Sequence, residues 1–229
     1  MPVPIVFRSS GANNTLYEFT DIASQTGYIT LYASTHINDG TNIVFRLSNF
    51  VSSSHTRNAS QGLSTYSSTT ADAFTKIIDL DFDILLNKSM TLRGTAIINV
   101  PFRIHESGTG NCVGYILARI RKWDGATETE IASGTGKEDE FNTTAAYLMA
   151  SISIPITAYT IPGGNYLRIT IEGWAKNTVS GQTTKFEIAH DPAGRLAPTH
   201  GSGAAAFNEE WNSSYSTVLK AFMPLKIEL

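Results

Sequence analysis

The chain has 229 residues, one cysteine, a formal net charge of −3 and an isoelectric point near 5.9. Hydrophobic residues make up 41%, enough for a sizeable core, whereas charged residues, at 16%, fall well below the usual quarter. A lone Cys112 excludes an intrachain disulfide, the lack of any Lys/Arg block argues against nucleic-acid binding, and no apolar run is long enough for a membrane-spanning helix.

The chain opens with Met-Pro-Val-Pro-Ile-Val-Phe-Arg, which has no charged segment followed by a long apolar run. It does not read as a signal peptide, so a soluble product that does not leave a cell by the usual secretory route is expected. Pro2 and Pro4 suit an edge strand or an extended arm. Residues 28–33 and 43–47 read as two strands joined by the turn signal Asn38-Asp39-Gly40, a hairpin. Residues 48–72 form the longest polar stretch, with Phe50, Val51, Leu63 and Tyr66 as its larger apolar groups. A loop of that length is expected to be functional or a flexible excursion.

From 74 to 86 the chain alternates with period two. Phe74, Lys76, Ile78, Leu80, Phe82 and Ile84 fall on one face, and Ile77, Asp79, Asp81, Asp83 and Leu85 on the other. Asn87-Lys88 turns into a second long run, 90–104. Residues 113–123 form a strand rich in aromatics and arginine, and Asp124-Gly125 predicts a tight hairpin turn, because Gly supplies the positive φ it needs. The return strand covers 128–132, a charged, Gly-rich loop 133–142, and another alternating strand 148–156.

Residues 161–192 carry the clearest pattern. Leu167, Ile169 and Ile171 alternate with Arg168, Thr170 and Glu172; a polar turn follows at 177–182, and Phe186 and Ile188 resume the alternation. The expectation is a β-hairpin with one buried and one wet face. A Pro/Gly/Ala-rich segment, 191–207, precedes a closing strand over 218–229. That strand is expected to dock between neighbours, with Pro224 at a bulge or a half-paired side.

Ten to twelve strands at short turn spacings, with no amphipathic helix, predict an all-β fold, a jelly-roll-like antiparallel sandwich with an N-terminal arm or hairpin. The best division places the arm, the hairpin and the Ser/Thr loop in 1–72, as part of the same domain as the sandwich of 73–229.

Candidate chemistry is sparse. Asp79, Asp81 and Asp83 line one strand face, but alternate residues stand about 7 Å apart and lack the loop ligands of a calcium site, so a solvent-facing stripe paired with Arg119 and Arg121 is expected. His36, His55, His105, His190 and His200 show no metal-ligand spacing. No Gly-x-Ser-x-Gly elbow or nucleotide loop is present, and Glu172 beside Gly173-Trp174 is the one place to look for a glycosidase carboxylate. Trp123, Trp174 and Trp211 can either stack on sugars or fill the core. Asn-x-Ser/Thr triplets at Asn13, Asn58, Asn87, Asn142 and Asn212 are frequent in so Ser/Thr-rich a chain and carry no argument.

The spellings Leu-Arg-Ile-Thr-Ile-Glu-Gly-Trp-Ala-Lys at 167–176 and Phe-Glu-Ile-Ala-His-Asp-Pro at 186–192 resemble structural proteins of tailed viruses, as do 19–28 and 222–227. The resemblance covers about a fifth of the chain and carries no catalytic motif. It implies a virion jelly roll of the capsid-decoration, head-fibre or tail-accessory kind. The resulting expectation is a non-enzymatic protein on the outer capsid surface, homo-oligomeric with a trimer favoured, bound to the major capsid protein or other virion proteins, with no cofactor or metal. The alternative is a receptor- or carbohydrate-binding head, with surface glycans as partner. Contacts are expected from Pro2, Pro4 and Phe7 in the arm, Phe50 and Tyr66 in the long loop, residues 193–207, and Trp123, Trp174 and Trp211.

Overall fold

The computed structural model describes residues 17–21, 26–38, 42–49, 59–64, 73–106, 112–141, 146–177, 184–190 and 219–226. All regular structure among them is β. The strands are β1 (Tyr17–Asp21), β2 (Thr26–Asn38), β3 (Asn42–Ser48), β4 (Ala59–Ser64), β5 (Thr75–Leu85), β6 (Met90–Glu106), β7 (Cys112–Trp123), β8 (Glu128–Thr135), β9 (Asp139–Phe141), β10 (Ala146–Ile161), β11 (Tyr166–Asn177), β12 (Thr184–Ala189) and β13 (Lys220–Lys226).

Hydrogen bonding links them into one strongly curled sheet, ordered β4-β12-β6-β13-β2-β3-β5-β11-β7-β8, whose two halves face each other. In one layer β11 lies between β5 and β7, both antiparallel to it, and the far edge of β7 is shared by β8 and β9. In the other, β10 pairs along β6, whose opposite edge is shared by β12 and β13. The antiparallel hairpin β2–β3 connects the halves: β2 pairs with β13, and β3 meets β5 in a short parallel contact at Arg46 and Asp83. The N-terminal hairpin is therefore built into the sheet. β13 sits between β2 and β6 as expected, with a register shift on its β6 side between Phe222 and Leu225, around Pro224.

The inward rows of both layers form the core. Ile78, Leu80 and Phe82 from β5, Ile116 and Ile120 from β7, and Leu167, Ile169 and Ile171 from β11 meet Ile98, Phe102 and Ile104 from β6 and Phe186 and Ile188 from β12. Full burial of each large side chain contributes about 1.5–3 kcal/mol. Phe102 and Phe186 stack with centroids 5.6 Å apart, while Phe82 meets Phe45 and the buried His190 edge-on. Cys112 is buried.

Four expectations are corrected. The segment 161–192 is not a hairpin: β11 pairs with β5 and β7, whereas β12 crosses to the other layer and pairs with β4 and β6. Alternation locates a strand but does not name its neighbour, and the link is long enough to change layers. The stretch 48–72 is not loop throughout, since its residues Ala59–Ser64 form β4 against β12. The expected loop 133–142 contains the end of β8 and all of β9, which complete the edge of β7. Finally, Lys76 does not share the inward row of Ile78. The register slips opposite Gly173 and Trp174, so that Ile78 pairs with Gly173 and Lys76 with Trp174, and the intervening Ile77 bulges.

Gly173 shows what brings β12 and β11 together. A Cβ there would lie 2.5 Å from Ile78 Cγ2 and 2.7 Å from the Phe186 ring, so the missing side chain is the space the ring occupies. Gly114 on β7 faces the same ring and Ile104. Replacing Gly173 by Ala should destabilise the fold by about 1–3 kcal/mol through overpacking, read as a lower urea midpoint with an unchanged slope. An unshifted midpoint would show that the two layers are not held this closely.

Candidate contact surface

The outer face of the β5–β11–β7–β8 layer holds most of the described charged and aromatic side chains that interact with one another. Register places them in rows. Asp83, Arg168, Arg121 and Glu130 stand side by side across four strands, as do Asp81, Thr170, Arg119 and Ser133. β11 is central and has neighbours on both edges, so its outward residues are covered from two sides. Thr170 is 0% and Glu172 3% exposed, which corrects the expectation of a wet face.

Arg168 is the hub. Its Nε and Nη2 donate to Oδ1 and Oδ2 of Asp83, each at 2.7 Å, a forked pair. Nη1 donates to Asp81 Oδ2 at 3.2 Å and to Glu128. The guanidinium lies 4.2 Å from the centroid of the Trp123 ring. The hydrogen bond to Asp83 raises the Arg168 pKa above the ordinary arginine value, against the opposing effect of burial. Asp81 also accepts from Thr170 Oγ1 at 2.5 Å, which satisfies that buried hydroxyl. The aspartate stripe is thus paired chiefly with Arg168 on the adjacent strand and not with Arg119 and Arg121.

Those two arginines serve other carboxylates. Arg119 Nε donates to Glu172 Oε1 at 2.9 Å and its Nη1 to Glu130 Oε2 at 2.7 Å; Arg121 Nη1 donates to Glu128 Oε2 at 2.8 Å. Burial works against the Arg119 charge, yet the hydrogen bonds to Glu130 and Glu172 raise its pKa on balance. Burial would likewise raise Glu130, but the Arg119 and Ser133 hydrogen bonds hold it below the ordinary glutamate value. Glu172 also accepts from Trp174 Nε1 at 2.7 Å, with Lys76 Nζ 4.0 Å away. Among the described residues no group of three or more His, Cys, Asp or Glu is arranged to hold a metal ion.

Trp123 and Trp174 are both half-buried on this face, at opposite ends. Tyr166 pairs with Leu85 on one side and Trp123 on the other, making an apolar row Leu85–Tyr166–Trp123 at one tip. Leu85 is 49% exposed, and the Trp123 and Tyr166 rings lie 4.9 Å apart. Three turns stiffen this tip. Gly164 N donates to Leu86 O at 2.7 Å, Leu86 N to Asn165 O at 2.9 Å, and Gly163 N to Ser89 Oγ at 3.2 Å. In the third, Asp124 stands at the first corner and Gly125 takes φ 98° as the first central residue, one position earlier than the Asp-Gly spelling suggests. The Asp124 carboxylate accepts from the amides of Thr127 at 2.8 Å and Ala126 at 3.0 Å.

At the other end Tyr115 is cross-strand to Trp174, their rings parallel within 2° and 6.3 Å apart. Phe74 meets Tyr115 edge-on at 4.9 Å, and Lys176 Nζ lies 4.9 Å from the Phe74 centroid. Burial raises the Tyr115 pKa, with Glu138 and Glu172 adding to it. Pro2, Pro4, Phe7, Phe50, Tyr66, Trp211 and residues 193–207 lie outside the described residues. Arg168, Tyr166, Leu85 and Tyr115 were not singled out by sequence as contact residues, since each acquires its role from cross-strand register. The one available signal was an arginine flanked by period-two apolar residues in a chain with an aspartate stripe.

No protein-family profile and no curated protein sequence matches the chain. Among solved structures, it is similar to a CocE/NonD family hydrolase from Staphylococcus aureus at 11% identity and TM-score 0.46, covering 87% of this chain and 37% of that one. It is also similar to an aminopeptidase from the marine sediment archaeon Thaumarchaeota archaeon at 9% identity and TM-score 0.48, covering 88% and 37%. A structure of infectious bursal disease virus, Gx strain, matches at 9% identity and TM-score 0.26, covering 89% and 48%. The chain thus spans little more than a third of the hydrolase chains. The expectation that it is not an enzyme is corrected: hydrolases and an aminopeptidase are among the solved structures the chain is similar to, and strand alternation with missing sequence motifs does not set a β-fold apart from enzymes. At these identities and TM-scores the likeness transfers no activity, role or residue to this chain.

Replacing Arg168 by Gln should cost about 3 kcal/mol, since it leaves Asp81, Asp83 and Glu128 facing one another with their main cation gone; denaturant unfolding measures it, and a cost below about 1 kcal/mol would assign the hub no more than a surface role. The Asp124 hydrogen bonds from Thr127 and Ala126 hold its folded pKa below the ordinary aspartate value. Its contribution to the turn is therefore complete above the unfolded value and fades as pH falls through the lower folded one. Amide shifts of Ala126 and Thr127 in an acid titration by NMR should move at lower pH than an unperturbed aspartate would dictate; a midpoint at the ordinary value would count against these bonds.

Proposed function

We propose that this chain is a virion structural protein, an oligomeric attachment or decoration subunit that docks through the β5–β11–β7–β8 tip onto a capsid or other particle surface. The observation that carries the reading is the row Leu85–Tyr166–Trp123, an apolar strip of one exposed and two half-buried side chains on three stiffened turns with Arg168 fixed beneath it. A contact surface gains most from aromatic anchors that are ordered before binding, because little side-chain entropy is then lost. An oligomer would present several such tips at once, so weak individual contacts would sum on a repeating lattice. The virion setting follows from the sequence resemblance, and a homotrimer bound to the major capsid protein is its most specific form.

Mass spectrometry of purified particles should find the chain, and the purified oligomer should cosediment with particles lacking it. Leu85→Asp and Trp123→Ala should each weaken cosedimentation by at least about tenfold while circular dichroism stays that of the parent. Absence from particles, or binding unchanged by both substitutions, would sink the reading. Light scattering that returns a monomer would remove the trimer.

A further inference from the structure

The far end of the same face differs from the tip in how its indole is held. Trp123 has a ring face occupied by the Arg168 guanidinium. Trp174 is held by its edge: Nε1 donates to Glu172 Oε2, two residues earlier on the same strand. The Tyr115 ring runs parallel to it within 2°, with centroids 6.3 Å apart, and Phe74 meets Tyr115 edge-on. The result is a shelf of two half-buried parallel rings, pinned by a buried carboxylate whose position is fixed by Arg119.

We infer that the Tyr115–Trp174 shelf is a saccharide-binding site that takes the flat C–H face of a neutral pyranose. The negative π-face of an aromatic ring attracts the polarised axial C–H groups of such a sugar, and rings held in place beforehand lose little freedom on binding. The rim supplies what hydroxyl groups need. Lys76 and Asp79 form a 2.6 Å ion pair with side chains 40% and 44% exposed, so donor and acceptor stand together at the edge of the shelf. That pair is locally neutral; an acidic or a basic ligand would meet an opposing charge, whereas vicinal hydroxyls can serve both members. Tyr166 and Trp174 are eight residues apart on β11, about 26 Å, so the shelf is separate from the tip row and does not depend on particle docking.

The test is an array of neutral cello-, chito-, malto- and galacto-oligosaccharides, followed by calorimetric titration of the full chain with the best binder. Trp174→Ala and Tyr115→Ala should each raise Kd by about tenfold or more, and Trp123→Ala should leave it within about twofold. Should the alanine variants unfold, NMR of the parent decides: the Trp174 indole N–H resonance, assigned by its loss in Trp174→Phe, should shift on titration. No binder on the array at millimolar sugar, equal weakening by Trp123→Ala, or a sugar that shifts another indole and leaves Trp174 still would each overturn the site. Loss of particle cosedimentation in Trp123→Ala with sugar binding intact would separate the two surfaces.

Discussion

A buried carboxylate on the outside of a β-sandwich constrains its whole layer. Glu172 is 3% exposed on the face of β11 that turns away from the core. Leaving such a group without partners would cost several kcal/mol. Its two oxygens are answered by Arg119 from β7 and by the indole of Trp174 on its own strand. Two outward rows further on, past Thr170, the charge is inverted: Arg168 is the largely covered ion, answered by aspartates of β5 and by Glu128 of β8. Like charges face across the seam, since Arg168 is directly opposite Arg121, and Glu128 bridges the two, one carboxylate oxygen to each. The layer is fixed laterally by these pairings as well as by its backbone ladder, and its aromatic groups inherit that order.

The inner side of the same strand obeys a different constraint. Gly173 sits between Glu172 and Trp174, at the place where the register slips, and its lack of a side chain lets Phe186 descend from the opposite layer. One residue thus serves steric fit inward while its neighbours serve charge and aromatic placement outward. A side chain at 173 would move β11 relative to β12, and with it the separation between Glu172 and Arg119. Packing and electrostatics are coupled through three consecutive residues.

Much of the architecture was readable from alternation: the strands of 74–86, 90–104, 113–123, 148–156 and the C-terminal segment all stand where the period-two pattern places them. Pairing was less legible. Residues 161–192 spell two strands joined by a polar link, a spelling shared by a hairpin and by a crossover between layers; the seating of Phe186 against Gly173 distinguishes them, and it exists only in three dimensions. β4 escaped notice because Ala-Ser-Gln-Gly-Leu-Ser lacks the β-branched and aromatic residues that mark a strand, and it is held by its ladder to β12. The wet face of β11 was misread for a related reason: alternation separates the two faces of a strand but does not say whether long arginines from the next strand will cover the outer one. Of the contact surface, Trp123 and Trp174 were visible as residue types, and Arg168 as a charge in an apolar strand. Their grouping depends on register and was not visible.

The two tryptophans show how much that register decides. Both fall on late parts of aromatic-rich strands and both are half-buried, so burial alone assigns them the same role. Their partners do not. A cation over the ring uses the negative π-face of Trp123 and fixes it as a cover for Arg168, leaving its periphery to extend the row of Tyr166 and Leu85. A hydrogen bond at Nε1 fixes the edge of Trp174 beside Glu172, and the parallel Tyr115 ring stands next to it. Because Glu172 and Arg168 stand on the same strand four residues apart, one ladder of ion pairs sets both orientations. The chemical difference between the two ends of the surface follows from which end received the carboxylate and which the arginine.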